Sequence, residues 1–194
     1  MRVFQTGTLK LNIQNDYLYI QPLLIEMDML SKLLTEKCKQ IKEENRWTSI
    51  SRIVGEAVED CVITMSCPIC NDKSLVKYKA NQKSKDVRCE KCSCQIQIKA
   101  TKFTKNQETS LKLLGAEYKT TCSSIKENNV HYIVLLYSVI CDKYTINEIY
   151  FIDHADINES CIIPRNPLSA TARRAGWQGC TLVFNTFKSL KLPT

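Results

Sequence analysis

Two pairs of cysteines with the same internal spacing stand in the first half of the sequence. Cys67 and Cys70 form one CxxC pair, Cys89 and Cys92 form the other, and residues 71–88 separate them. Each pair can turn tightly and direct two sulfurs at one ion, and two pairs complete a tetrahedral four-thiolate zinc site. Four buried free thiols are the alternative, whereas a redox role needs only one pair. The spacing predicts a structural zinc ribbon over residues 67–92.

A second set of polar residues with hydrolytic potential surrounds the second cysteine pair. Asp86 precedes the pair, and Gln97 and Lys99 follow it, alternating with Ile96 and Ile98 on the expected strand. Asp86, the amide oxygen of Gln97 and the backbone carbonyl of Ile98 are oxygen ligands suited to Mg²⁺. The ion would acidify its bound water, and Lys99 would orient or deprotonate that water. A solvated polar face on an edge strand explains the same pattern without catalysis.

Basic residues are concentrated around these two motifs. The 194 residues include 27 Lys or Arg and 20 Asp or Glu, a formal net charge of +7. Residues 71–105 contain ten basic and three acidic side chains, so this segment alone accounts for +7. Such a local field attracts polyanions, of which nucleic acid is the commonest. A solvated lysine-rich loop is the alternative interpretation.

The composition places the chain among ordinary globular proteins. Hydrophobic residues make up 44% and charged residues 24%. No apolar run approaches the ~20 residues that a membrane span needs, and the N-terminus has no apolar secretory core. We therefore expect an intracellular protein that is not secreted and has no membrane partner. The seven cysteines outside the pairs, Cys94, Cys122 and Cys180 among them, are expected to be small buried hydrophobes, and His131 and His154 structural or surface residues.

Hydrophobic periodicity predicts the elements that position these residues. We expect two short strands within the first twenty residues, three helices after them, and a buried central strand rich in β-branched and aromatic residues beside a second strand. The three helices are expected at about residues 22–45, 47–60 and 106–127, and the two strands at residues 132–140 and 148–153. These elements predict a mixed α/β fold with a central sheet flanked by helices and an inserted zinc ribbon.

The stretch PLSATARRAGWQGC, from Pro167 to Cys180, combines residue types suited to DNA. Arg173 and Arg174 offer guanidinium forks for phosphates or guanine edges. The two glycines allow close backbone approach, and Trp177 could stack on a base or meet a methyl group in the groove. A buried Trp177 that locks a turn, with the arginines on the surface, is the alternative.

Three pieces of the sequence resemble the DpnI family of restriction endonucleases. They are the order CPIC…DxxCxxC…QxK over residues 67–99, the stretch PLSATARRAGWQGC, and the helix segment RIVGE at residues 52–56. The resemblance implies the restriction-endonuclease-like fold of PD-(D/E)XK nucleases, with structural Zn²⁺ and catalytic Mg²⁺. It implies a catalytic domain over residues 47–194, preceded by an N-terminal extension over residues 1–46 that holds the short strands and the amphipathic helix.

The resemblance also assigns roles to individual residues. It places Asp86, Gln97, Lys99 and Glu56 in a catalytic site, with Mg²⁺ held by Asp86, Gln97 and Ile98. It places Arg173, Arg174, Trp177 and Lys102 on DNA, with Trp177 central to sensing the base. The implied activity is that of a type II-like enzyme that hydrolyses DNA phosphodiester bonds. The implied substrate is double-stranded DNA with methylated adenine in a GATC-like context. A transient homodimer on DNA is a further expectation, which the resemblance does not supply.

One departure from the family pattern keeps two other functions open. The family has Glu where this chain has Gln97, a weaker neutral ligand. A non-catalytic zinc-ribbon protein that binds methylated DNA would fit this change. A repair or structure-specific nuclease that ignores methylation is the third interpretation, and a dependence on methyl groups would separate it from the first.

Overall fold

The computed structural model of the chain describes residues 13–78, 85–104, 110–127, 129–171, 174–185 and 190–191. The described residues form three helices, nine strands and two short 3₁₀ turns. The helices are α1 (Ile13–Glu43), α2 (Ile50–Val62) and α3 (Tyr118–Glu127). The strands are β1 (Leu75–Lys77), β2 (Val87–Cys89), β3 (Gln95–Lys102), β4 (Ser110–Glu117), β5 (Val130–Ile140), β6 (Lys143–Ile152), β7 (Ile162–Pro164), β8 (Gly179–Asn185) and β9 (Leu190–Lys191). The 3₁₀ turns are His154–Asp156 and Glu159–Cys161.

The strands form two sheets. The larger has the order β1-β2-β3-β5-β6-β9, and the smaller has the order β4-β8-β7. Strands β3 and β5 pair in parallel, whereas the other neighbouring strands of the described residues pair antiparallel. The expected mixed α/β fold, with a sheet flanked by helices, is confirmed.

Strand β5 lies between two hydrophobic clusters, one on each face of the larger sheet. Ile133 and Leu135 point into the cluster that also contains the buried faces of α1 and α2. Val134 and Leu136 point into the cluster shared with the smaller sheet. A strand that is covered on both faces consists of a nearly continuous apolar run, which is why the sequence predicts this central strand correctly.

Helix α1 contributes to the core and also covers the edge of β6 at Tyr144. Leu34, Cys38 and Ile41 are buried at helical spacing. The hydroxyl of Thr35 accepts a hydrogen bond from the backbone N–H of Tyr144 at 3.0 Å, which satisfies a strand-edge donor. The helix is therefore bound to the sheet by both apolar contacts and hydrogen bonds. Among the described residues, no helix combines the length and apolar character that a membrane span requires.

Two expectations from periodicity are wrong. Tyr17–Ile20, expected as a strand, is part of α1, because a helix that is already nucleated gains one hydrogen bond for each residue that extends it. The rest of that expected strand pair, residues 1–12, lies outside the described residues. The helix expected over residues 106–127 begins only at Tyr118. Leu111 and Leu113 before it are buried in alternation with exposed neighbours, since β4 pairs with the distant β8.

Candidate functional site

The two cysteine pairs fold into knuckles of the same geometry. The backbone N–H of Asn71 donates to the carbonyl of Cys67 at 2.8 Å, and that of Ser93 donates to the carbonyl of Cys89 at 2.9 Å. Asn71 and Ser93 both have left-handed backbone, with φ of 56° and 60°. Each knuckle therefore reverses the chain directly after its pair, which leaves both sulfurs of the pair on the same side.

The four predicted zinc ligands lie together. Their sulfurs are all within 4.8 Å of one another. The Sγ atoms of Cys67 and Cys92 are 3.7 Å apart, and those of Cys70 and Cys89 are 3.5 Å apart. A tetrahedral zinc ion with bonds of about 2.3 Å holds its sulfurs roughly 3.8 Å apart. The sulfur separations fit one such ion, so the group could hold zinc.

Polar donors around Cys89 favour its thiolate, the form that binds zinc. Burial acts to raise the pKa of Cys89, but the backbone N–H groups of Cys92 and Lys91 and the Ser74 hydroxyl outweigh it, lowering the pKa to about 6. The Ser74 oxygen lies 3.2 Å from the Cys89 sulfur. Lys91 also pairs with Asp72 at 2.9 Å, which joins the two knuckles.

Cys94 supplies a fifth sulfur that the spacing did not reveal. Its Sγ lies 3.4 Å from that of Cys67, closer than the Sγ of Cys92 does. Cys94 is half-buried beside the knuckle, where its carbonyl accepts from the backbone N–H of Cys89 at 3.0 Å. The expectation that it is a small buried hydrophobe is wrong, because the turn at Ser93 brings its side chain back to the thiol group.

Asp86 is fixed against the open edge of β3. Among the described residues, strand β2 pairs with β3 at Val87 and Arg88, and β2 leaves the edge beyond Ile96 open to a side chain. The carboxylate of Asp86 accepts a hydrogen bond from the backbone N–H of Ile98 at 2.6 Å. The N–H and C=O of one strand residue point to the same edge, so the carbonyl of Ile98 faces the side on which Asp86 lies.

Gln97 and Lys99 share the face of β3 opposite Ile96 and Ile98, as the alternation predicts. Ile96 and Ile98 are 0% and 7% exposed within the helix-side cluster. Lys99 is half-buried, and burial lowers its pKa even though Asp86 and other nearby groups act to raise it. The structure therefore brings Asp86, Gln97 and Lys99 to one short segment of strand.

Helix α2 adds an acidic residue that the sequence analysis did not single out. Burial raises the pKa of Glu59, and the nearby charge of Asp86 raises it further. Glu59 also interacts electrostatically with Lys99. Lys77 of β1 lies 3.5 Å from Glu59 and 2.5 Å from Asp60. The helical period could have indicated Glu59, since it stands one turn after Glu56 on the same helix.

Glu56 has different surroundings. Its carboxylate accepts a hydrogen bond from the indole N–H of Trp47 at 2.6 Å and contacts the guanidinium of Arg46. Arg46 and Trp47 lie in the segment that leads into α2. These contacts fix the start of the helix, and the catalytic role expected for Glu56 stays a prediction.

The described part of the stretch from Pro167 to Cys180 forms a turn closed by its own backbone. The N–H of Leu168 donates to the carbonyl of Trp177 at 2.9 Å, and the N–H of Gly176 donates to the carbonyl of Leu168 at 3.1 Å. Gly176 has a φ of 74°, which favours glycine. The guanidinium of Arg174 lies 4.5 Å from the centre of the Trp177 ring. Arg173 lies outside the described residues.

Gly179 and Cys180 connect this turn to the predicted catalytic strand. A Cβ atom at Gly179 would lie 2.8 Å from the Trp177 ring, so the ring packs directly on the glycine. Cys180 is buried, and it interacts electrostatically with Lys99. Lys102, at the end of β3, is exposed. The turn-locking role of Trp177 is thus visible in the contacts, while contact with a DNA base stays a prediction.

Together these features define a mixed α/β protein in which a cysteine ribbon adjoins an acidic, lysine-bearing strand edge. The model of the family described as DpnI, Dam-replacing family, matches residues 34–189. The chain belongs to this family, as the sequence resemblance indicated. Membership in the family implies a restriction-type nuclease that acts on DNA. The match includes the cysteine ribbon, the edge of β3 that Asp86 contacts, and the turn around Trp177, which we name the tryptophan turn.

Proposed function

We propose that this protein is a Mg²⁺-dependent endonuclease that hydrolyses DNA phosphodiester bonds at adenine-methylated, GATC-like sites. The observation that carries the proposal is the hydrogen bond from Ile98 to the Asp86 carboxylate, on the strand edge next to Lys99. It fixes a carboxylate oxygen beside a backbone carbonyl and a lysine, within a chain of the DpnI family.

The residues at the strand edge suit Mg²⁺. Asp86 offers a carboxylate oxygen, Ile98 a carbonyl on the same edge, and Gln97 an amide oxygen, all of the hard type that Mg²⁺ prefers. Burial and the nearby charge of Asp86 raise the pKa of Glu59, and burial raises the pKa of Asp86. A divalent cation would relieve that repulsion, which supports a cation between these acids and the substrate phosphate.

The side chains of the site have distinct parts in hydrolysis. When bound, Mg²⁺ acidifies water and stabilises charge on the phosphoryl oxygens. Lys99 orients the attacking water and offsets the negative charge that develops on the phosphate. Because burial lowers the pKa of Lys99, it releases a proton more readily than an exposed lysine does. Asp86 keeps its orientation through the Ile98 N–H.

The cysteine ribbon would hold Zn²⁺ as a structural ion through Cys67, Cys70, Cys89 and Cys92. All four coordination positions are then occupied by protein, so this ion supports the fold and takes no part in hydrolysis. Its position matters because β3 begins at Gln95, directly after the second knuckle. The ribbon thereby fixes the start of the strand that carries the proposed catalytic residues.

The tryptophan turn and the neighbouring basic residues would contact double-stranded DNA. Arg173, Arg174 and Lys102 supply positive charge, and Trp177 senses the methylated base. The stacking of Arg174 on Trp177 pre-orients both side chains, which lowers the entropy lost on binding. We propose that two copies of the chain meet transiently on DNA, wherever the cell's DNA is accessible, and that each cleaves one strand.

Cleavage of plasmid DNA tests the proposal. Plasmid methylated or unmethylated at adenine is incubated with Mg²⁺ at low salt with the wild type and with Lys99→Ala and Asp86→Asn. We expect cleavage of methylated plasmid alone, and a loss of at least about 10²-fold in each variant. Lys112→Ala, an exposed lysine of β4, is the matched control and should cleave normally. Asn at position 86 still offers an oxygen to the Ile98 N–H, so a folded but inactive Asp86→Asn would isolate the effect of charge.

Two other results would redirect the assignment. Binding without cleavage under any divalent ion would indicate the non-catalytic reader that the neutral Gln97 favours. Equal cleavage of both plasmids would indicate a nuclease that ignores methylation.

A further inference from the structure

Two histidines and an aspartate that are far apart in sequence meet at one end of the larger sheet. His131 stands at the start of β5, while Asp153 and His154 directly follow β6. The antiparallel register pairs Tyr132 with Ile152, which brings their outer neighbours side by side. One ring nitrogen from each histidine and a carboxylate oxygen of Asp153 all lie within 4.8 Å of one another.

The separations suit a small divalent ion. The Nδ1 atom of His154 lies 3.1 Å from Oδ1 of Asp153, and Nδ1 of His131 lies 3.6 Å from the same oxygen. A tetrahedral ion with bonds of about 2.0–2.2 Å to nitrogen and oxygen holds its ligands roughly 3.3 Å apart. The three side chains are therefore close to the spacing that such an ion would impose.

One nitrogen of the group lacks a hydrogen bond. Nδ1 of His154 is buried, and among the described residues it has no hydrogen-bond partner. Asp153 is near enough for an ion pair, yet the two groups are not oriented for a hydrogen bond. A buried polar atom without a partner is destabilising, so the free Nδ1 of His154 is suited to bind a ligand.

Local structure explains only part of the arrangement. Oδ1 of Asp153 accepts from the backbone N–H of Ala155 at 2.9 Å and caps the 3₁₀ turn. The backbone N–H of His154 donates to Nδ1 of His131 at 3.3 Å. This bond is long, so a metal bound to Nδ1 could replace it, and a metal bound to Nε2 would leave it in place. Neither bond involves the Nδ1 atom of His154.

The group lines a cavity that can admit a metal and its remaining ligands. The cavity has a volume of about 690 Å³ and extends to the second cysteine knuckle, with Lys85 and Asn129 on its wall. On its inner side His131 is only 7% exposed and stacks on Phe151 at 5.2 Å between ring centres. The protein thus supplies one buried ligand and two half-exposed ones, and the cavity leaves room for water as a fourth.

We propose that His131, Asp153 and His154 bind a second transition-metal ion of the zinc class. Two imidazoles and one carboxylate with an open position favour borderline divalent ions over Mg²⁺. The site is separate from the cysteine ribbon and from the strand edge of Asp86 and Lys99. A bound ion would link the start of β5 to the residues that follow β6. The proposed metal site does not depend on the proposed nuclease activity.

Metal counting and cobalt spectroscopy test this site. Zinc bound per chain is measured by mass spectrometry after dialysis against zinc, and Co²⁺ is titrated into a separate sample in which zinc occupies the ribbon alone. We expect two zinc ions per chain, and a cobalt absorption without thiolate charge transfer. Asp153→Asn keeps the capping oxygen and removes the charge. Asp153→Asn and His154→Gln, made as separate variants, should each weaken binding of the second ion by more than about tenfold. A loss of that size is usual even for changes beyond the direct ligands.

Asp156→Asn, on the same 3₁₀ turn, is the matched control and should bind both ions as the wild type does. A single zinc ion per wild-type chain, or undiminished binding in both ligand variants, would refute the site. A second equivalent that carries thiolate charge transfer would place that ion at Cys94 and refute the site as well. Thermal unfolding of each variant checks the fold, and Asp153→Asn alone decides if His154→Gln does not fold.

Discussion

At the scale of single residues, acids from two different elements converge on Lys99. Asp86 reaches it from the start of β2 and Glu59 from α2, and both interact with it electrostatically. The charges of the two acids partly cancel the positive charge of a half-buried lysine, whose pKa burial lowers. A substrate phosphate would add negative charge beside Lys99, and a bound cation would add positive charge. Each acid should therefore affect cleavage as well as cation binding.

A comparison of the two glutamates of α2 distinguishes which of them belongs to this group. Glu59→Gln should lower Mg²⁺-dependent cleavage by roughly 10–100-fold, because it removes a charge beside Asp86. Glu56→Gln should lower cleavage less, because its carboxylate bonds to Trp47 instead. Initial cleavage rates over a range of Mg²⁺ concentrations measure both effects. The reverse order would support the catalytic role predicted for Glu56 and argue against such a role for Glu59.

The residues that the sequence identified are those whose partners are close in the chain. The spacing of the CxxC pairs gave the four cysteines, and alternation placed Gln97 and Lys99 on one face. The position of Glu59 beside Asp86 and the grouping of the two histidines with Asp153 were not predicted, because helix packing and strand register set these contacts. Neither of these is encoded in local spacing.

At the scale of elements, the ribbon has one more sulfur than a tetrahedral ion can bind. Because Cys94 lies 3.4 Å from Cys67, it can take the place of a lost ligand. Cys92→Ser should therefore keep the thiolate-to-cobalt charge-transfer band of the Co²⁺-substituted ribbon. The double change Cys92→Ser with Cys94→Ser leaves three thiolates, so its band should be weaker than that of Cys92→Ser. A band of equal intensity in the two variants would contradict this substitution of ligands.

The tryptophan turn should contribute one phosphate contact through Arg174. Arg174→Ala should weaken DNA binding and reduce the slope of log affinity against log salt by about 1. Fluorescence anisotropy over a series of salt concentrations measures this slope. Lys39→Ala removes one positive charge from the exposed face of α1 and should leave the slope unchanged. An unchanged slope in Arg174→Ala would show that this guanidinium serves the turn alone.

Strand β4 illustrates where prediction at this scale fails. Leucines at 111, 113 and 114 fit either period, and the sequence after them does form a helix. The choice is made by pairing with β8, about seventy residues further along the chain. Intrinsic preference gives way to such tertiary contacts.

At the scale of the whole molecule, β5 carries the packing of both layers. Leu136 is fully buried between the two sheets, so Leu136→Ala should lower the free energy of unfolding by about 2–5 kcal/mol. Leu114 is 70% exposed, and Leu114→Ala should cost no more than about 0.5 kcal/mol. Urea unfolding of purified proteins compares the two. Similar losses in both would mean that the second cluster contributes little stability.

The fold class could be predicted from the alternation of helices and short strands, since these patterns are local. The order of strands could not. Nothing in residues 95–102 indicates that their parallel neighbour is residues 130–137 rather than the strand that follows next. The predicted boundary of an extension at residue 46 also stays a prediction, although α1 packs on α2 and β6.

The parallel pairing of β3 with β5 has a consequence for how the protein is made. The connection between them contains β4 and α3, so β3 leaves the ribosome well before its partner does. At ~5–20 residues per second, roughly 2–8 s pass before β5 is complete. Until then β3 presents an unpaired edge beyond the ribbon, which invites misassociation. During this interval Lys99, the residue proposed to act in hydrolysis, stands on a strand that lacks its parallel neighbour.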